Sequence, residues 1–214
     1  EEVHMKVLVA CECSGIVANA FRERGHEAYS CDISPCERDE WQKYHIKDDA
    51  IKHIDDGWDL LIAHPPCQYI SKAGARLMYP TAGNICKDRL KKALAAVGFF
   101  MRFLNADVPR VAVENPTPLK IAGLPPPDRV VQPYEHGHPY SKRTLFWLRN
   151  LPAITPTELI EDYTPWIPSN TGGAKRGQRH CLGTARNSGD GSRARTFSGI
   201  ANAMAMQWGG VCDE

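Results

Sequence analysis

One transition constrains this chain more than any other: the apolar run Asp59-Leu60-Leu61-Ile62-Ala63 passes straight into His64-Pro65-Pro66-Cys67-Gln68-Tyr69-Ile70-Ser71. A short unbroken apolar run bounded by breakers reads as a buried strand of a parallel sheet. The paired prolines keep the exit extended and supply no amide hydrogens, so Cys67 is expected on a stiff loop at the strand's carboxyl end. Open α/β sheets gather their ligands at that end. A second apolar run, Arg110-Val111-Ala112-Val113, ends in Glu114-Asn115-Pro116 and sets a carboxylate at another strand end. Alone, Cys67 reads as a packing thiol and Glu114 as a capping or ion-pairing acid. Together they read as a nucleophile and an acid or hydrogen-bond partner for a bound base.

The remaining pattern predicts a doubly wound, mostly parallel α/β sheet. Lys6 to Ala10 reads as a strand, Gly15 to Arg24 as a helix with Ile16, Val17, Ala20 and Phe21 on one face, and Glu27 to Cys31 as a strand ending at Asp32. The loop between the first strand and helix lacks the phosphate fingerprint, which suits a nucleoside-bearing cofactor without phosphates better than a dinucleotide. Arg89 to Asn105 is the clearest helix, and its stripe of Leu90, Leu94, Val97, Met101 and Leu104 is expected to face the core. Ser71 to Asp88 is expected to act as a lid over a bound base. Residues 116–127 interrupt regular structure, and Leu145-Phe146-Trp147-Leu148 returns to a strand.

Pro65-Pro66-Cys67-Gln68 followed by Glu114-Asn115 resembles the DNA (cytosine-5)-methyltransferase family, whose hallmarks are a Pro-Cys-Gln loop and a later Glu-Asn dipeptide. The likeness continues in the family's order. Lys6 to Gly15 resembles its first strand and cofactor loop, Ser30-Cys31-Asp32-Ile33 its second strand end, and His45 to Ala50 the segment whose acid faces adenine. Gly137 to Trp147 resembles its basic strand, and Ser198 to Ala203 its closing helix. The match is closest to short, phage-type members without a large target-recognition domain.

That resemblance implies a Rossmann-like, S-adenosylmethionine-dependent methyltransferase fold, as one domain over 5–214 with a reduced basic recognition region at about 149–196. It implies Cys67 as nucleophile toward carbon 6 of cytosine, with Glu114 serving N3 and Arg143 supporting O2. It places the cofactor S-adenosyl-L-methionine against Ala10, Cys11, Glu12, Cys13, Ser14, Gly15, Asp32, Ile33, Asp49, Pro65 and Asn202. Asp32 would take ribose hydroxyls and Asp49 the adenine amine. Substrate contacts fall on Pro66, Gln68, Ser71, Asn115, Lys142, Lys175, Arg176 and Arg179, after the target base leaves the stack. An aromatic residue in place of Cys67 would suit amine methylation instead.

Charge and composition fit these expectations. The net charge of +1 hides a local excess between Ser169 and Phe197, where Lys175, Arg176, Arg179, Arg186, Arg193 and Arg195 face one acid, Asp190. Such a stretch suits phosphate contacts, so DNA is the expected partner. Tyr163 and Trp166 are possible stacking residues for an unpaired base. The eight cysteines include no Cys-x-x-Cys pair, so no metal site is expected, and a free Cys67 thiol suits a reducing cytoplasm in a bacterial or phage-infected cell. No apolar run approaches a membrane span, so no membrane partner is expected, and a monomer is. Two further readings stay open: cytosine-5 alkyl transfer to RNA or a nucleotide or from a modified donor, and a catalytically silent nucleic-acid-binding module.

Overall fold

A computed structural model describes residues 4–165 and 195–210. Nine strands and four α-helices occur among them: β1 (Lys6–Ala10), α1 (Ile16–Arg22), β2 (Glu27–Asp32), β3 (His45–Lys47), β4 (Leu60–Ala63), α2 (Ala75–Met78), α3 (Lys87–Leu104), β5 (Arg110–Pro116), β6 (Arg129–Val131), β7 (Tyr140–Ser141), β8 (Thr144–Arg149), β9 (Thr164–Pro165) and α4 (Ser198–Trp208). Seven strands form one sheet in the order β3-β2-β1-β4-β5-β8-β6, and β7 and β9 pair separately. Strands β3, β2, β1, β4 and β5 run parallel, whereas β8 is antiparallel to both β5 and β6. This is the doubly wound, mostly parallel, Rossmann-like arrangement expected from the sequence.

Alternation along the central strands builds two cores. Val7, Val9, Leu60, Ile62 and Ala112 face the layer of α1 and α4, where Phe21, Ile200, Met204 and Trp208 pack. Leu8, Ala10, Leu61, Ala63, Val111 and Val113 face the other layer, where Phe100 and Phe103 of α3 meet Trp147. Central strands buried on both faces must be apolar throughout, which is why β4 reads Leu-Leu-Ile-Ala. The α3 stripe departs from its expected register. Ala93, Phe100 and Phe103 are the buried residues, while Leu94 is 57% exposed and Leu90, Val97, Met101 and Leu104 are half-buried. The ring of Phe100 stands edge-on to Trp147 at 5.0 Å, and seating that aromatic pair turns the helix away from the leucine line.

The N-terminus of α4 is held by an imidazole. His138 Nε2 accepts the Gly199 N–H at 2.9 Å, a role open only to the neutral ring. Burial lowers the His138 pKa against the opposing pull of Glu158, and burial likewise lowers that of His136. Native histidines with depressed values bind protons more weakly than the unfolded chain does. Their contribution is therefore complete above the ordinary value of 6.5 and is lost as pH falls from there through the folded value. The melting temperature is expected to drop on acidification below about 6.5. His138→Gln should flatten that acid limb; a limb unchanged in the variant would remove His138 from the cap.

Candidate active site

The sheet register assembles the site. Ala10 stands opposite Cys31 on one side and Ala63 on the other, and Ala63 stands opposite Val113. The next residue on each strand therefore falls in one row along the sheet's carboxyl edge: Asp32, Cys11, His64 and Glu114. This row straddles the switch point between β1 and β4, where the chain reverses its direction of winding and the crevice opens. Antiparallel β8 begins at the same edge, with Thr144 opposite Pro116, so Lys142 and Arg143 arrive beside it.

Cys67 follows three residues beyond His64. Its carbonyl accepts the Ile70 and Ser71 N–H groups at 3.1 and 2.9 Å, closing a tight turn. Asn115 braces the approach to that turn. It is 1% exposed, and its Nδ2 donates to the Pro65 carbonyl at 2.8 Å and to the Glu114 carbonyl at 3.0 Å. Because Pro65 and Pro66 supply no amide hydrogens, a side-chain donor is what ties this loop to β5. Asn115, expected at the substrate, is thus first a strut between the Cys67 loop and the Glu114 strand.

Burial and the Glu114 carboxylate push the Cys67 thiol above its ordinary range, while the Ser71 hydroxyl and the Lys142 charge pull it down. Ser71 is buried, whereas Pro66 and Gln68 are exposed at the loop surface. Lys142 is half-buried, with Nζ 5.6 Å from the centre of the Phe197 ring, and Arg143 is exposed. Of the two basic residues expected at the base, Lys142 is the one whose charge reaches Cys67.

Glu114 is bound to a residue that sequence reasoning passed over: His64 Nδ1 lies 3.1 Å from Glu114 Oε2. Beyond it, Glu12 is 5% exposed and receives the N–H groups of Val17 at 2.7 Å and Ala18 at 3.2 Å, together with the Ser14 hydroxyl at 3.2 Å. Both oxygens of Glu12 are thereby engaged by the first turn of α1 and its entry loop, so it serves the helix as a carboxylate cap. Burial raises its pKa, and His64 and these hydrogen bonds oppose that rise. Gly15 enters the helix at φ 68, and a Cβ there would stand 2.8 Å from the Trp41 ring, so both the backbone and the close approach demand glycine.

A cavity of about 110 Å³ opens beside this row, lined by Cys11, Glu12, Cys13, Glu37, His64 and Arg195 among others. Arg195 Nε donates to Glu37 Oε2 at 2.6 Å, so the residue ahead of α4 bridges to the segment after β2. Burial, with Asp32 and Asp49 adding to it, drives the Cys11 thiol far up, which places both acids near the end of β1. Asp32 Oδ1 already accepts the Ser34 N–H and Asp49 Oδ1 the Ile51 N–H, so each acid also shapes its own loop. Ile33 is 77% exposed at this edge. Ala10 and Pro65 are buried, whereas Asn202 is exposed in a groove lined by residues of α1 and α4.

Of the expected lid, residues 72–78 form a 3₁₀ turn and the short α2, pinned where Arg89 donates to the Gln68 carbonyl. Tyr163 already stacks on Tyr134, with ring centres 4.0 Å apart. Trp166, Lys175, Arg176, Arg179, Arg186 and Arg193 lie outside the described residues. So does most of the basic recognition stretch.

No family model matches this chain, and no curated protein does. Among solved structures, the chain is similar to an E. coli prophage-encoded protein described as a DNA modification methyltransferase, at 14% identity and a TM-score of 0.45, over 73% of this chain and 52% of that one. It is also similar to the Entamoeba histolytica methyltransferase EhMeth, at 14% identity and a TM-score of 0.43, over 73% of this chain and 58% of that one. The chain spans little more than half the length of these structures.

Proposed function

We propose that this chain is a cytosine-5 methyltransferase that takes DNA as substrate and S-adenosyl-L-methionine as donor. The observation that carries the reading is the tie between Cys67 and Glu114. Asn115 Nδ2 ties the Pro65 carbonyl of the Cys67 loop to the Glu114 carbonyl at the end of β5, and the Glu114 carboxylate raises the Cys67 thiol. A pyrimidine needs that pair: a sulfur at carbon 6, and a proton donor where charge collects at N3.

The residues fit the donor. Asp32 and Asp49 offer carboxylates beside the β1 loop, suited to hydroxyl and amine groups, and Ile33 offers an exposed apolar surface. The cavity along Cys11, Cys13 and His64 adjoins them. S-adenosyl-L-methionine, when bound, supplies an activated methyl group on a cationic sulfur. Cys67 would add to carbon 6 as thiolate and make carbon 5 nucleophilic. Glu114 would give a proton to N3, and Lys142 would hold the thiolate and the developing negative charge. Loss of the carbon 5 proton to water and expulsion of Cys67 would complete the cycle. Among the described residues, no helix is long and apolar enough to cross a membrane.

The deciding experiment incubates the protein with labelled S-adenosyl-L-methionine and a DNA duplex carrying 5-fluorocytosine, whose fluorine blocks the last elimination. A denaturation-resistant adduct that maps by mass spectrometry to the Cys67 peptide is expected. With donor binding shown by calorimetry, failure to form it would exclude the reaction on DNA. An adduct on an RNA analogue alone would move the substrate to RNA.

A further inference from the structure

His64 lies near two carboxylates, the half-buried Glu114 and the buried Glu12. Its Nδ1 meets Glu114 Oε2 at 3.1 Å, and its charge holds down the buried Glu12 on the other side. Its Nε2 is buried without a hydrogen-bond partner, so the ring is not there merely to satisfy its neighbours. Other titratable or charged groups around it are Cys11 and Cys13 from the loop after β1, Glu37 after β2, Arg195 ahead of α4 and Cys67 on its own loop. Arg195 is bonded to Glu37, and Lys142 acts on Cys67. The basic group standing against both Glu12 and Glu114 is His64.

Base addition draws a proton from Glu114 in each cycle, and Glu114 is largely cut off from solvent, with 19% of its side chain exposed. We propose that His64 is the proton store for Glu114. As the Cys67 sulfur bonds to carbon 6, the carbon 5–carbon 6 electron pair shifts into the ring and N3 takes the proton from Glu114. The Nδ1 proton of a cationic His64 then passes to Glu114 Oε2 and leaves a neutral imidazole. On expulsion of the thiolate, N3 returns its proton to Glu114 and Glu114 returns one to His64, so the account closes within the site. The Glu12 carboxylate, fixed by α1, stabilises the imidazolium between turnovers. His64 never touches the base. It is a positioning residue, and its role rests on the cytosine-addition reading above.

The test needs no methyl donor. After addition at carbon 6, carbon 5 takes a proton from water and loses its tritium before the thiolate leaves, so tritium release from DNA containing 5-tritiated cytosine reports addition without methyl transfer. His64→Asn keeps an N–H directed at Glu114 and cannot ionise; His64→Gln is the second variant should the first fail to fold. Wild type is expected to show a bell-shaped pH dependence of exchange. The variants should exchange about a hundredfold more slowly at their maximum, with the alkaline limb moved toward acid and DNA affinity unchanged. Variants that keep the wild-type profile, or lose rate uniformly with its shape intact, overturn the proton store alone. Wild type without exchange at any pH, although it binds DNA, overturns the addition chemistry and the store with it.

Discussion

A Glu114→Gln protein is expected to form the base adduct about a thousandfold more slowly than wild type while its Cys67 thiol alkylates faster. These opposite changes follow from two roles of one carboxyl group. In the proposed reaction it supplies the proton at N3 as an acid, and an amide cannot. As a charge it raises the Cys67 thiol, second only to burial, so its removal lowers that thiol and enlarges the thiolate fraction at any pH below full ionisation. Iodoacetamide labelling against pH, read on the Cys67 peptide, measures the second effect. Cys13, half-buried and raised to about 11, is labelled in the same samples and serves as the internal reference, since Glu114→Gln leaves its surroundings unchanged. Slower alkylation together with a slower adduct would reduce Glu114 to a packing role.

The sequence made some of this site legible because its logic is local. An apolar run ended by a polar residue marks a strand's carboxyl end, and that signal places Asp32 and Glu114 there, while their roles come from the Cys67 loop and the family resemblance. His64 carries the same signal, as the first polar residue after Leu60–Ala63, but the Pro-Pro-Cys beside it draws the reading three residues onward. Only the register, with Ala63 opposite Val113, shows that His64 and Glu114 are neighbours. The choice between Lys142 and Arg143 was likewise illegible. One residue's shift at a strand entrance exchanges the faces of the sheet, and the antiparallel pairing of β8 with β5 decides which basic group turns inward. Glu12 and Asn115 were marked as functional residues without sign of their structural work, because hydrogen bonds to Val17, Ala18 and Pro65 exist only once the chain is folded. The pattern starts α3 within two residues of its observed Lys87, yet its leucine line is not the buried one, since leucines advertise a core position more loudly than the Phe100–Trp147 contact that sets it.

Gly199→Ala is expected to destabilise the fold by about 3 kcal/mol, against the gain of up to about 1 kcal/mol that helix propensity alone would give. Gly199 is the second residue of α4, and a Cβ there would fall 1.9 Å from the His136 carbonyl oxygen and 3.0 Å from its carbon. Both obstacles are backbone, so no side-chain rotation clears them. The helix start would have to move away from the 136–138 loop, breaking the Gly199 bond to His138 Nε2. It would also lift Ile200 and Met204 from the core they share with Phe21. The damage should reach the site as well. Phe197, just ahead of the helix, packs against His138, Tyr140 and Lys142, and Arg195 closes the cavity beside His64. Urea denaturation measures the stability change, and calorimetry with S-adenosyl-L-methionine measures the loss of donor affinity expected with it. A variant as stable as wild type would show that the loop yields to the new methyl group, and that α4 is held by its buried face rather than by this contact.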